Sequence, residues 1–208
     1  MVEGNLPERF MVWIDAVGGF LVCTSSQIVL GQAAMESAVE VPIQGELARR
    51  HAIVARHGDR YVIEPLQAVQ LQQRRIHAPT LLADRQELTL GSSVQVRFRQ
   101  PHALSTSARL EFVAGHRTVP ASDGVILLAD SCILGPSPHS HVICRTWHQE
   151  LILFRRHGKL WCRAPVGLEV DGVPHSGVTP LHGHTRLSGD GFSLSIEPLK
   201  SQSQSTES

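Results

Sequence analysis

Two histidine pairs have the spacing that could bind a metal: His139-Ser140-His141 and His182-Gly183-His184. On an extended strand, residues two apart project to one face, so each pair could offer two imidazoles to a zinc ion. No nearby cysteine or glutamate completes either set. Both pairs lie in stretches rich in Gly, Pro and Ser, where surface-loop histidines are the simpler account. No metal is assigned. Nucleophilic catalysis has no better support. Ser25, Ser26 and Ser131 follow apolar runs, but there is no Gly-x-Ser-x-Gly elbow and no acid–base pairing. Cys23, Cys132, Cys144 and Cys162 have no Cys-x-x-Cys spacing, and Cys144 and Cys162 lie near strands, where buried thiols are common. The chain is therefore expected to be non-catalytic, without cofactor, and to work reduced in the cytoplasm. Trp13, Trp147 and Trp161 read as core or edge packing rather than as ligand stackers.

What must position any remaining site is a repeat. Leu47 to Pro65 (LARRHAIVARHGDRYVIEP) is echoed without a gap by Trp147 to Pro165 (WHQELILFRRHGKLWCRAP), offset by 100 positions. Both stretches run an apolar strand into Arg-His-Gly, then a second apolar strand, then proline. The echo continues in the same order outward. QIVLG ending at Gly31 answers to CILG ending at Gly135, Leu71–Ile76 to Val170–His175, and Gly91–Phe98 to Gly189–Ile196. Offsets between 98 and 104 mean short loop insertions. Two tandem copies of an all-β unit follow.

The 208 residues suffice for two units of about 100, each able to bury a core. Lys plus Arg and Asp plus Glu both number 19, so bulk charge points to neither nucleic acid nor an anionic membrane as partner. The N-terminal residues lack a basic region followed by an apolar run, so no secretory signal is expected. No apolar stretch approaches the roughly 20 residues that cross a bilayer.

Along the chain, Phe10 to Val17 and Phe20 to Cys23 form an expected hairpin turned at Gly18-Gly19. Strands follow at Gln27 to Gly31, Val39 to Ile43, His51 to Ala55 and Arg60 to Glu64, with a loop or single helical turn at Ala33 to Ser37. Val94, Val96 and Phe98 alternate with polar residues, as do Phe192, Leu194 and Ile196, the pattern of half-buried strands. The expected boundaries are a first unit at 9–99, a polar linker at 100–107, a second unit at 108–199 and a disordered tail at 200–208.

Ile28-Val29-Leu30-Gly31, Arg49-Arg50-His51-Ala52 and Leu71 to Ile76, in this order, resemble forkhead-associated (FHA) domains. The resemblance covers the first unit well and the second more weakly. It implies tandem β-sandwiches of the SMAD/FHA type, whose loops at one end bind phosphothreonine peptides. Such a ligand demands charge-assisted donors: an arginine fork, a hydroxyl and backbone amides. In the family an arginine follows the first glycine, a serine begins the Ser-Arg-x-His block, and an Asn-Gly turn comes later. Here those positions hold Gln32, Ala48 and Gln72-Gln73. Arg49, His51 and Ala52 match, and the resemblance gives His51 a structural, loop-bracing role beside Gly31. Arg49, Arg50, Arg74 and Arg75 fall in the loops that the family places near the ligand. They read either as a weak site for an anion or acidic peptide, or as solvated surface arginines.

In the second unit Gly135 is followed by Pro136, the block reads His148-Gln149-Glu150-Leu151, and Asp171-Gly172 keeps only the turn. Glu150 and Asp171 would oppose a phosphate, so that unit is expected to keep the scaffold without the site. Two functions remain. One is recognition of a phosphoprotein, such as a Ser/Thr-kinase substrate, through Arg49, Arg50, Gln32, Gln72 and Arg74. The other is a phosphate-independent scaffold or adaptor.

Overall fold

The computed structural model describes residues 6–34, 39–102, 105–113 and 115–199, and among them every helix or strand assigned is a strand. The first half carries β1 (Arg9–Ile14), β2 (Gly18–Cys23), β3 (Gln27–Gln32), β4 (Val41–Ile43), β5 (Ala52–His57), β6 (Arg60–Pro65), β7 (Val69–Leu71), β8 (Arg74–Ile76), β9 (Thr80–Leu82), β10 (Glu87–Leu90) and β11 (Val94–Arg99). The second carries β12 (Ala108–Phe112), β13 (Gly124–Leu127), β14 (Ser131–Gly135), β15 (Val142–Ile143), β16 (Leu151–Arg156), β17 (Lys159–Val170), β18 (Val173–Leu181), β19 (Thr185–Gly189) and β20 (Phe192–Pro198). The all-β class read from the turn spacing is what the structure contains. Most of the helical-turn alternative at Ala33 to Ser37, and the whole tail at 200–208, lie outside the described residues.

Two sheets hold these strands. A five-stranded sheet runs β4-β3-β5-β6-β9. A fifteen-stranded sheet runs β15-β14-β16-β17-β19-β20-β1-β2-β13-β12-β11-β10-β7-β8, with β18 also on β17. The centre of the large sheet is buried on both faces. Met11, Leu21, Cys23, Val125 and Leu127 enter a core with the five-stranded sheet and Phe98. Their alternating neighbours Phe10, Val12, Ile14, Phe20, Val22 and Ile126 enter a second core with Leu134, Leu153 and Leu194. This is why RFMVWI, GGFLVC and GVIL are nearly continuous apolar runs rather than alternating ones. The layers form a sandwich with a shared middle.

The buried residues form two cores, and neither is confined to one of the expected units. β1 and β2, from 9–99, contribute to both cores, and so does β13, from 108–199. Of the segment expected as a linker, the part at Ser105 to Ser107 is packed instead. Ser105 and Ser107 are buried. Ser105 Oγ donates to Ser131 O at 2.9 Å, Ser107 Oγ accepts from the Ala129 amide at 2.9 Å, and Tyr61 Oη donates to Thr106 O at 2.8 Å. It is polar because it satisfies buried backbone, not because it is solvated. The first hairpin also turns earlier than expected, at Asp15 to Val17, with Ala16 at φ 62°. Gly18 and Gly19 lie inside β2, where a Cβ on Gly19 would strike the Trp13 ring at 2.3 Å.

One difference between the halves bears on function. The twelve-residue β17 occupies the place that the first half divides between β6 and β7. In the first half the break falls at Leu66 to Ala68, where the Leu66 and Gln67 amides turn to the His51 carbonyl at 3.1 and 3.0 Å. In the second half buried Leu151 aligns with His51, and the strand runs on with only a register shift between Ala164 and Leu168.

Candidate functional site

His51 is the anchor of the candidate end. It is buried at 3% exposure. Its Nδ1 accepts from the Ala48 amide at 3.3 Å, which places the proton of the neutral ring on Nε2. That nitrogen then donates to Ala68 O at 2.9 Å. The Gly91 amide, 2.9 Å from the same nitrogen, is satisfied by Ala68 O at 3.0 Å. One imidazole thereby ties the loop before β5 to the β6–β7 break, beside the β10–β11 turn.

Gly31 is required for a different reason. A Cβ there would sit 1.9 Å from Arg49 O and 3.3 Å from Ala48 O. The Gln32 amide donates to Ala48 O at 3.0 Å, and the His51 amide to Leu30 O at 2.8 Å. Gln32 and Arg49 are therefore neighbours through the backbone, and the chain at Arg49 is held against β3.

The β7–β8 turn supplies the second loop. Gln72 and Gln73 both have positive φ, 49° and 64°. Two consecutive left-handed residues make the tight hairpin that glycine and asparagine favour, and holding it with two glutamines costs strain, of order 1–3 kcal/mol per residue. Asp171 and Gly172 adopt the same pair of signs, at 53° and 80°. Beyond this turn Arg75, Ile76 and His77 line a groove of about 270 Å³ with Pro65, Leu66, Gln67 and Ala68. The groove exists because the β6–β7 break turns toward His51. Arg75 of β8 faces it, beside His77 just past the end of that strand.

Arg49, Arg50, Arg74 and Arg75 are all exposed. Among the described residues none of the four has an ion pair or a side-chain hydrogen bond. Some arginines elsewhere are engaged, Arg97 with Glu87 at 2.6 Å, Arg99 with Asp84 at 3.1 Å and Arg117 with Asp123 at 2.7 Å, whereas Arg60, Arg145 and Arg163 are exposed and unpaired like these four. No contact joins Arg49 to Arg74 or to Gln72. His51 ties the Arg49 loop to the β6–β7 break, not to the β7–β8 turn itself.

The corresponding end of the second half is different chemically. Pro136 follows Gly135, where a Cβ would meet Glu150 Cγ at 2.8 Å. A groove of about 410 Å³ is lined there by Glu169, His175, Ser188 and Asp190 among others. Its carboxylates repel an anion.

The remaining chemical candidates are dispersed. His139, His182 and His184 are exposed, whereas His141 is fully buried. Neither pair lies on a strand, so the shared face expected of extended residues is absent, and among the described residues no group of three or more His, Cys, Asp or Glu could hold a metal ion. All four thiols are free and buried, and burial pushes each up to about 12, which keeps them protonated. Trp147 is buried against Phe192 with ring centroids 5.0 Å apart, and Trp13 donates to Glu197 at 3.0 Å.

His141 was read as a loop histidine and is a core one. Its Nδ1 accepts from the Ile133 amide at 3.0 Å, and Arg109 Nη1 donates to its carbonyl at 2.7 Å. Burial first, then the positive His102 and Arg109, lower it from 6.5 to about 4. A histidine depressed on folding binds more protons when unfolded. Its contribution is therefore complete above pH 6.5 and lost as pH falls toward 4. The gap corresponds to on the order of 3 kcal/mol. Unfolding free energy measured by urea between about pH 7 and 4 should fall by about that amount from this group. His141→Asn, which keeps an acceptor for Ile133, should flatten the fall in that window, and an unchanged slope would show that other groups control it.

No protein-family model matches the chain, and no curated protein matches it. Among solved structures it is similar to the N-terminal FHA domain from EssC, a component of the bacterial Type VII secretion apparatus, at 10% sequence identity and a TM-score of 0.25, covering 90% of this chain and 92% of that one. A likeness at that level positions no residue, and the site is argued from its own geometry.

Proposed function

We propose that the chain is a non-catalytic interaction module of FHA type. Its first unit recognises a phosphothreonine-bearing segment of a partner protein, and its second unit serves as scaffold. The observation that carries this reading is the pair of exposed arginines without carboxylate partners, Arg49 and Arg50, on the loop held by His51 and Gly31, with Arg74 and Arg75 equally exposed and unpaired on β8. An unpaired guanidinium at such an end is free to make charge-assisted bonds to a dianion. The strained Gln72-Gln73 turn supports the same reading, since strain of this kind is retained where surrounding structure holds a loop for use. Arg49 and Arg50 would grip the phosphate. Gln32 and Gln72 would offer neutral donors where the family pattern has arginine and asparagine, with Arg74 and Arg75 on the rim. In a cell this suits an adaptor reading Ser/Thr-kinase products.

The test is binding of the purified chain to matched phosphothreonine and unphosphorylated peptide libraries, beside an Arg49→Ala, Arg50→Ala variant. Each charge-assisted bond is worth about 1.5–3 kcal/mol, so phosphate-dependent affinity should fall at least tenfold in the variant. Binding without phosphate preference by a folded sample would favour the phosphate-independent scaffold instead.

A further inference from the structure

We propose that the two units close one another by reciprocal exchange of their first hairpins. The proposal rests on the two-unit reading. The first hairpin of the first unit, β1–β2, bonds through β1 to β20, the last strand of the second unit, from Phe10↔Pro198 to Ile14↔Leu194. The first hairpin of the second unit, β12–β13, bonds through β12 to β11, the last strand of the first unit, from Val96↔Phe112 to Arg99↔Arg109. Both junctions are antiparallel and both join a first strand to a last strand. The two hairpins meet between them, β2 running parallel to β13 from Phe20↔Gly124 to Cys23↔Leu127. Each unit thus receives from the other what it gives.

Side chains keep each hairpin tied to its own unit while its edge serves the other. Arg9 Nη1 donates to Val39 O at 2.8 Å and Glu40 O at 3.1 Å. Arg109, 100 positions on, donates to His141 O. Glu40 and His141 each stand just before a short strand, and each accepts a β3 or β14 amide, Val29 at 2.7 Å and Ile133 at 3.0 Å. The paired features show the same local design used twice, with the hairpins crossed over. A unit deprived of its neighbour would present β11 or β20 as an open edge and lose apolar residues from its core. The surface each unit offers is therefore specific for the other unit's hairpin within the same chain.

Paired cysteines in the full chain test this. Residues directly opposite on antiparallel strands have Cα atoms about 4.5–5.5 Å apart, within disulfide range. Trp13 lies opposite Ser195, and Arg97 opposite Glu111. Under mild oxidation, Trp13→Cys with Ser195→Cys, and Arg97→Cys with Glu111→Cys, should each yield a disulfide within one chain. Trp13→Cys with Arg97→Cys should yield none. A disulfide formed in that last variant would mean that the first hairpin closes its own unit, and would overturn the proposal. So would a disulfide in the first variant that joins two chains, seen as doubled mass on a non-reducing gel, or folded protein forming neither expected bond. No peptide is involved, so failure of phosphothreonine binding leaves this result untouched.

Discussion

Gly31→Ala is expected to destabilise the chain by roughly 3 kcal/mol or more and to abolish the phosphopeptide binding proposed for the Arg49 loop. Gly31 is not in the left-handed region, so the cause is not backbone conformation. A methyl group would overlap Arg49 O at 1.9 Å, and neither partner is the flexible end of a side chain. Relief requires the segment carrying Arg49 to move off β3, breaking the Gln32–Ala48 and His51–Leu30 bonds. His51 would then lose its hold on Ala48, and the arginine-bearing loop its place. Gly135→Ala is the control. Its methyl group would meet Glu150 Cγ at 2.8 Å, which can turn aside, and Glu150 Cα at 3.1 Å, which must give by a few tenths of an ångström, so a smaller cost of about 1–2 kcal/mol is expected. Urea denaturation of both variants measures the difference. Equal effects would mean that the Arg49 carbonyl yields more readily than its hydrogen bonds suggest.

Leu30→Ala should lower stability by about 2–5 kcal/mol, with the loss appearing at tryptophans outside its core. Leu30 is fully buried in the core of the five-stranded sheet. Trp147 belongs to the other core, Trp161 lies on β17 and Trp13 on β1. Since β1, β2 and β13 send alternate residues into both cores, losing one core uncovers a face of the strands that build the other. Tryptophan fluorescence during urea unfolding should therefore report one transition, displaced as a whole by Leu30→Ala. A fluorescence midpoint unchanged by the substitution would show that the cores unfold independently.

Much of the strand pattern was legible in local sequence. The alternation at Val94, Val96 and Phe98, and at Phe192, Leu194 and Ile196, marks strands with one buried face, and the structure places those residues in the two cores. The candidate end was legible in part. Gly31, Arg49 and His51 were singled out through the FHA resemblance, and the structure shows a close backbone approach at Gly31 and two hydrogen bonds at His51, while a role for Arg49 stays a proposal. Arg75 was named with Arg74 as a rim residue, whereas His77, just past the end of β8, carried no signal. The runs at Phe10 to Ile14 and Phe20 to Cys23 carried a further signal: apolar residues at consecutive positions imply burial on both faces, which no sheet with one solvated side explains. His141 gave no signal at all. A histidine between serine and valine in a polar stretch looks the same whether it faces water or a core.

The amino-acid sequence by itself determined the all-β class, the repeated order of strands and turns, the absence of recognisable catalytic motifs, and which residue types stand at the loops of the first unit. These follow from period, turn chemistry and spacing, each written within a few residues. Only the tertiary structure decided which strand lies beside which. Backbone amides pair alike whatever the side chain, so β1 carries no local mark that it must join β20 rather than β11. That choice is made by shape and burial across the whole chain. It turned part of the expected linker into packed structure, gave the two cores a common wall, and put the break that forms the groove beside His51.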